Sequence, residues 1–245
     1  MNVDPAVQRK LLDLAAIDAE QARIVHRRNT LPEAQEIERL EAERQSRKDA
    51  TVAVEIVLDD LDRDIRKLER EVESVRNRED RDRKLLNGGT VTPKQMTELE
   101  HELQTLTRRQ SILEDELLEV MELREASAAD HDHAGSQLSK TEDELIDARR
   151  HHGDAVADLD TADKRCAADR AGLVGEFPAD LLAVYERQRA SRGAGAALLQ
   201  ARRCGACRME LDRNLIARFA ASPAELVLRC EECGAILVRT KESGL

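Results

Sequence analysis

The chain has 245 residues, of which 36% are charged and only 1% aromatic, and its formal net charge is −11 at neutral pH. That composition, dominated by Ala, Leu, Glu, Asp and Arg, argues against an ordinary globule and for long helices. No apolar run approaches the roughly 18 residues of a membrane span, and no basic region followed by an apolar run opens the chain, so neither a span nor a signal peptide is expected.

In chain order, Asp4 followed by Pro5 marks a helix start, with Asp4 as the cap and proline at the first helical position. Val7, Leu11, Leu14 and Ile17 begin an apolar stripe that weakens from Gln21 to Arg28. Thr30 with Glu33 three residues on is a capping-box pattern, and Pro32 stands where a first-turn proline is tolerated, so a kink is expected near 29–32. Beyond it Thr51, Val54, Leu58, Leu61, Ile65, Leu68, Val72 and Val75 recur in steps of three and four, the seam of a coiled coil.

Asn87-Gly88-Gly89 stops this helix, and Thr92-Pro93-Lys94-Gln95 starts the next with a second capping box. From Met96 to Leu173 one heptad register persists, through Leu106, Leu113, Leu117, Leu145 and Leu159, with Gln110, Arg124, Ser127, His131, His152 and Asp169 among its polar intruders. A short turn between two such helices implies an antiparallel hairpin with its tip near 87–92 and arms about 120 Å long at 1.5 Å per residue. If Leu86 lies beside Pro93, facing residues have numbers adding to about 179. Arg44 and Arg47 then meet the level of Ser127, His131 and Ala134, which predicts a wetter belt midway.

Gly172, Gly175 and Pro178 end the hairpin, and a short helix carrying Leu181, Leu182 and Tyr185 follows. Phe177 and Tyr185 are expected to pack the joint with what comes next. The expected division is therefore 1–175 for the hairpin and 176–245 for a linker helix and a metal-binding end.

That end contains Cys204-Gly205-Ala206-Cys207, a 22-residue interval, and Cys230-Glu231-Glu232-Cys233-Gly234. Two Cys-x-x-Cys knuckles at this separation suit a closed tetrahedral site with Cys204, Cys207, Cys230 and Cys233 as ligands. Four thiolates favour one structural Zn²⁺; the alternatives are iron in a rubredoxin-like site, a redox pair, or unrelated thiols. Such a site has no open position for activating water, and no phosphate loop, nucleophile elbow or paired-carboxylate pocket is present, so no enzymatic activity is expected. Residues 196–199, 227–228 and 236–238 read as short strands, and Asp212 as the cap of a helix reaching Phe219 and closed by Ser222-Pro223: the arrangement of a zinc ribbon. Replacing Cys207 or Cys233 by Ser is expected to unfold only the ribbon. Clustered thiol pairs suit a reducing compartment, and the chain reads as cytoplasmic.

The fold class expected is thus mainly α, a long antiparallel coiled-coil hairpin followed by a small C4 zinc ribbon. This layout resembles a bacterial family of C4-type zinc ribbon proteins with a long N-terminal helical hairpin. The likeness is carried by Leu181-Leu182-Ala183-Val184-Tyr185-Glu186-Arg187, by Cys204-Gly205-Ala206-Cys207 with Leu211, and by Cys230 through Leu237. It departs at Asp212, where Pro is expected, and at Ala235, where Arg commonly follows. Some relatives act in regulating flagellar genes, associating with an alternative sigma factor and with messenger RNA, and the ribbon is commonly suggested to touch nucleic acid or protein; the resemblance implies no enzymatic activity.

Charge is unevenly shared: residues 1–199 carry 31 basic and 44 acidic side chains, residues 200–245 carry 8 and 6. Arg187, Arg189, Arg192, Arg202, Arg203, Arg208 and Arg213 are the candidate phosphate contacts at this mildly basic end, against their reading as a solvated neck. Two functions follow as expectations. One is an adaptor or chaperone linked to transcription or RNA through protein partners; the other is direct RNA or DNA binding through the ribbon and the arginines. A homodimer is compatible with both. Asp130-His131-Asp132-His133 and His151-His152 are read as solvated helix residues rather than a metal site, and Cys166 as a small core residue.

Overall fold

A computed structural model describes residues 1–89 and 91–245. Its order is α1 (Pro5–Asn29), α2 (Pro32–Asn87), α3 (Pro93–Val174), α4 (Ala179–Arg192), β1 (Ala196–Gln200), β2 (Arg203–Cys204), α5 (Arg213–Ala221), β3 (Leu228–Arg229) and β4 (Ile236–Val238). The protein is mostly helical, with a long helical hairpin and a small four-cysteine region at its C-terminal end, as the sequence predicts. None of its described helices is long and apolar enough to cross a membrane.

Two compact units are present: Gln35–Arg149, and Met1–Ala34 with Arg150–Leu245. Contacts thus do not part at residue 175. The start of α1 and the end of α3 share the ribbon's core through Leu11, Leu14, Leu173 and Val174, while Ile24, Leu31 and Leu159 pack α1 and α3 together in a separate cluster of the same unit.

The Gln35–Arg149 unit is the hairpin. Every predicted seam position of α2 from Thr51 to Val75 is half-buried or buried, as are those of α3 from Met96 to Ala148 except Met96 itself and Arg124, which are exposed. The seam is a stripe of the 3.5-residue period, and the charged residues between stay in water. At the tip, Gly88 N–H closes α2 on the Lys84 carbonyl at 3.0 Å, and Gly89 takes a positive φ of 65°. Thr92 N–H donates to Gln95 Oε1 at 2.9 Å while Gln95 N–H reaches Thr92 Oγ1 at 3.4 Å, the reciprocal box predicted for the start of α3. The predicted tip includes Thr90, which lies outside the described residues.

The register differs from the expected sum of 179. Thr107 bonds Glu79 and Arg124 pairs with Asp62, both adding to 186, while Arg109–Glu71 adds to 180 and Arg149–Glu41 to 190. The partner of a given residue therefore lies about seven residues, one heptad, farther along the opposite helix, since Leu86 and Pro93 are not the innermost pair. The two polar interruptions therefore do not meet at one level as expected: Arg47 reaches Gln137, whereas sums of 184–186 set Ser127 and His131 opposite residues 53–59 of α2. Between Leu40 and Val72 on α2, and between Leu113 and Thr141 on α3, no residue is fully buried. There Arg47 bridges Glu43 at 2.6 Å and Gln137 at 2.8 Å.

In the other unit, α1 starts as predicted: Asp4 Oδ1 accepts from Ala6 N–H at 2.7 Å, with Pro5 next. Its buried face is Gln8, Leu11, Leu14, Asp18 and Ile24, so the stripe takes in two polar residues and Val7 and Ile17 lie on its margins. The break at 29–32 is real, but Thr30 does not box with Glu33. Its hydroxyl donates back to the His26 carbonyl at 2.9 Å and its N–H to Arg27 O at 3.1 Å, so it closes α1 rather than opening α2. A free carbonyl in the preceding turn lies within reach and wins the hydroxyl. The heptad phase of α3 slips by one at its end, where Arg170 rather than Asp169 turns inward; a straight helix drifts by about 20° per heptad from a 3.5 repeat.

The joint core joins Leu11 and Leu14 of α1, Phe177, Leu181 and Tyr185, and Ala196, Ile236 and Val238 of the ribbon. A second core, beneath the cysteines, holds Leu199, Leu211, Leu215, Ile216, Phe219, Leu228 and Leu237. The sheet order is β2-β1-β4-β3, with β1 parallel to β4 and both outer pairs antiparallel. The strands at 196–200, 228–229 and 236–238 fall where the sequence places them; β2 was not foreseen. The chain's first residues also join: Val3 N–H donates to Glu225 O at 2.7 Å and Val227 N–H to Met1 O at 3.0 Å.

Candidate metal centre

Each Cys-x-x-Cys pair sits in a knuckle of the same form. In the first, Cys204 N–H donates to Met209 O at 3.1 Å and Arg208 N–H returns to Cys204 O at 2.7 Å. In the second, Cys230 N–H donates to Ala235 O at 3.0 Å and Gly234 N–H returns to Cys230 O at 2.9 Å. Both need a left-handed residue just after the second cysteine. Gly234 supplies it with φ 79°, whereas Arg208 adopts it at φ 63° despite its side chain.

The two knuckles bring four sulfurs together. All Sγ atoms of Cys204, Cys207, Cys230 and Cys233 lie within 4.8 Å of one another, with Cys204–Cys233 at 3.7 Å and Cys207–Cys230 at 3.8 Å. Tetrahedral zinc with Zn–S near 2.3 Å requires sulfurs roughly 3.8 Å apart. The cage therefore fits zinc in donor type, number and spacing.

Burial alone resists charging these thiols. It pushes Cys204 up to about 12 and raises Cys233, while the Met209 backbone N–H lowers Cys207. A divalent cation is the partner that makes four thiolates tenable at such a place.

The cage is tied to the joint. Gln188, on α4 and buried, donates its amide to the Cys233 carbonyl. A Cβ on Gly234 would come within 2.5 Å of Gln188 Oε1, so this close approach needs glycine. Arg229 Nε donates to Gly234 O at 3.1 Å. One residue beyond Gln188, Arg189 turns to α1, where the Asp18 carboxylate, 3% exposed, accepts from Arg170 Nε at 2.8 Å and Tyr185 Oη at 2.6 Å and forms an ion pair with Arg189 Nε at 3.1 Å. Burial, together with this carboxylate, holds the Tyr185 phenol well above its ordinary range.

The candidate phosphate-binding arginines are not one patch. Arg189 is spent on Asp18, because a buried carboxylate needs counter-charge more than solvent does; it is withdrawn from the set. Arg202 Nε bonds the Gly244 carbonyl at 3.2 Å, and Arg203 faces Glu210 at 3.5 Å. Arg187, Arg192, Arg208 and Arg213 are exposed and, among the described residues, have no ion-pair partner. Sequence reasoning passed over Arg239, whose guanidinium donates to the carbonyls of Phe219, Ser222, Pro223, Ala224 and Leu226 and so closes α5. It also missed Gln8, whose amide binds Val3 O at 2.8 Å and Glu225 O at 3.0 Å. Asp18 had a usable signal: it lies seven residues after Leu11 and four after Leu14, an acid on an apolar stripe.

A helical hairpin carrying a four-thiolate zinc ribbon defines the class, and comparison with known proteins agrees. The CT398-like coiled coil hairpin domain matches residues 14–193 and the C4-type zinc ribbon domain residues 203–237. The chain belongs to this family of zinc-binding coiled-coil hairpin proteins. It is similar to a solved Mycobacterium smegmatis structure, 46% identical, covering 98% of this chain and 100% of that one, with a TM-score of 0.85. It is 41% identical to the Mycobacterium tuberculosis protein Rv2229c over 98% of both chains. CT398 of Chlamydia trachomatis shares the fold at 15% identity, covering 95% of this chain and 97% of that one, with a TM-score of 0.65.

Proposed function

We propose that this protein is a non-enzymatic adaptor or chaperone, linked to transcription or RNA through protein partners, in which one structural zinc holds the ribbon. Zinc, when bound, ties two knuckles that are otherwise joined by short strands and a small apolar core, and its four sulfur ligands leave no position for substrate. The cytoplasm is the compartment that suits its thiols.

The observation that carries the reading is where exposed apolar surface lies. Ten of the 14 large hydrophobic residues that are exposed belong to the Gln35–Arg149 unit. That unit holds 31 acidic and 19 basic side chains, so its net −12 leaves +1 for the rest of the chain. Exposed apolar residues on an acidic surface favour a protein partner and repel phosphate.

A second reading, direct nucleic-acid binding, rests on the four exposed, unpaired arginines. A salt titration of the zinc-loaded full chain against random single-stranded RNA and duplex DNA separates the two. The adaptor reading expects no binding at low salt. Micromolar binding that weakens steeply with salt and is lost on replacing Arg187, Arg192, Arg208 and Arg213 would transfer the function to nucleic acid.

A further inference from the structure

Most of the chain's net charge is held in one short stretch of the hairpin unit. Residues 51–76 of α2 and 108–130 of α3 together carry 15 acidic and 8 basic side chains, a net −7 out of the chain's −11. Arg109, Arg124 and Arg76 pair with Glu71, Asp62 and Glu114, but Glu116, Glu119, Glu122 and Glu125 have no ion-pair partner among the described residues.

Between these free acids stand Ile112, Leu118, Met121 and Leu123, 48–59% exposed. Leu118 and Met121 are three residues apart and share a helix face. The seam beside them, Leu117 and Val120, is only half-buried, within the stretch of α3 from Leu113 to Thr141 where nothing is fully covered. Two helices here do not complete a core.

We propose that this acidic and apolar face of α3 docks a basic amphipathic helix of a partner protein. The inference rests on the adaptor reading and adds to it the place and the partner's chemistry. Charge selects the occupant. A second copy would set one stretch of −7 against another, and nucleic acid or an anionic membrane would meet the same repulsion. Leu118 and Met121 share their side of α3 with Glu122 and Glu125, whereas Ile112 and Leu123 lie on the other flank with Glu116 and Glu119. A helix with apolar residues at i, i+3, i+4 and i+7 and Lys or Arg elsewhere covers Leu118 and Met121 while neutralising Glu122 and Glu125.

The test uses the zinc-loaded full chain and two synthetic Leu/Lys peptides of one composition, one with leucines at amphipathic helical spacing and one scrambled. Fluorescence anisotropy is expected to give micromolar binding of the amphipathic peptide and at least about tenfold weaker binding of the scrambled one. The combined substitutions Leu118→Ser and Met121→Ser should weaken the amphipathic peptide about tenfold with helix content unchanged. Equal binding of both peptides, or no effect of the double substitution, overturns the proposal, as does a concentration-dependent dimer in sedimentation that the substitutions abolish. A photo-crosslinker placed in cells at residue 118, and separately at Leu85 and Arg208, keeps the two failures apart. Protein crosslinks at Leu85 or Arg208 alone sink this site and leave the adaptor reading standing, and none at any position sinks both.

Discussion

Replacing Asp18 by Asn removes the charge on which α1, α3 and α4 converge without changing the side chain's shape. Asp18 accepts from Tyr185 and Arg170, forms an ion pair with Arg189, and its side chain is 3% exposed. Asparagine keeps one acceptor but turns the other atom into a donor facing donors, and it leaves two guanidiniums without their counter-charge. Breaking a fully buried pair costs about 3–5 kcal/mol. The cost is smaller here, because the Arg170 and Arg189 side chains are 21% and 33% exposed and both keep Glu186. About 2–3 kcal/mol remains, close to one or two charge-assisted hydrogen bonds. A chain with two compact units need not unfold in a single step, so the assay is site-resolved hydrogen exchange. Amides of α1 and α4 should exchange about 30- to 150-fold faster in Asp18→Asn, at tenfold per 1.4 kcal/mol, with residues 35–149 unchanged. Less than about threefold acceleration at α1 and α4, or equal acceleration across the hairpin unit, would refute the claim that this carboxylate holds the joint.

Further outcomes follow from the same structure. Gly195→Ala would put a Cβ 2.6 Å from the ring of Tyr185, which is fully buried, so a loss of about 1–3 kcal/mol is expected in urea unfolding of that unit. Tyr185 is the sole tyrosine, and its raised pKa means the folded state holds the phenolic proton after the unfolded chain has released it. Its stabilising contribution is thus intact below pH 10.0 and falls as pH rises through and beyond that ordinary value; tyrosinate absorbance should lag far behind free tyrosine in the native protein and appear together with unfolding. Tyr185→Phe should lose that part of the alkaline dependence. In the hairpin unit, amides near Arg47 and His131 should exchange faster than those near Val72 and Leu113, and equally slow exchange would contradict a wetter belt.

The sequence was most legible where one local signal has one physical meaning. Asp4-Pro5 and Thr92-Pro93 mark helix starts because proline and a side-chain acceptor both suit a first turn, and the heptads located each seam residue by period alone. The four cysteines were legible because thiolates in two paired knuckles have few other uses. What escaped are residues whose role is set by something distant. Gln8 and Asp18 look like surface residues by type, yet the carbonyls of 224–225 and the groups on α3 and α4 that satisfy them are more than 150 residues away. Met1–Val3 and the strand beside it carry no mutual mark. Thr30 had two local acceptors to choose between, and Arg189 looked like its neighbours until Asp18 was placed beneath it. The unit boundary followed suit: shared core residues, rather than the glycines after α3, decide where contacts part.

The expectation that losing one cysteine unfolds only the ribbon also changes, since Ile236 and Val238 belong to the joint core with Leu11, Leu14 and Tyr185. Native mass spectrometry with hydrogen exchange on the wild type and on Cys207→Ser tests the central claim most directly. The account predicts one zinc per chain in the wild type and none in the variant. Protection should be lost through 196–238 and reduced in α1 and α4, while 35–149 is unaffected. Zinc retained by the variant, or a metal-free wild type with a fully protected ribbon, would contradict it.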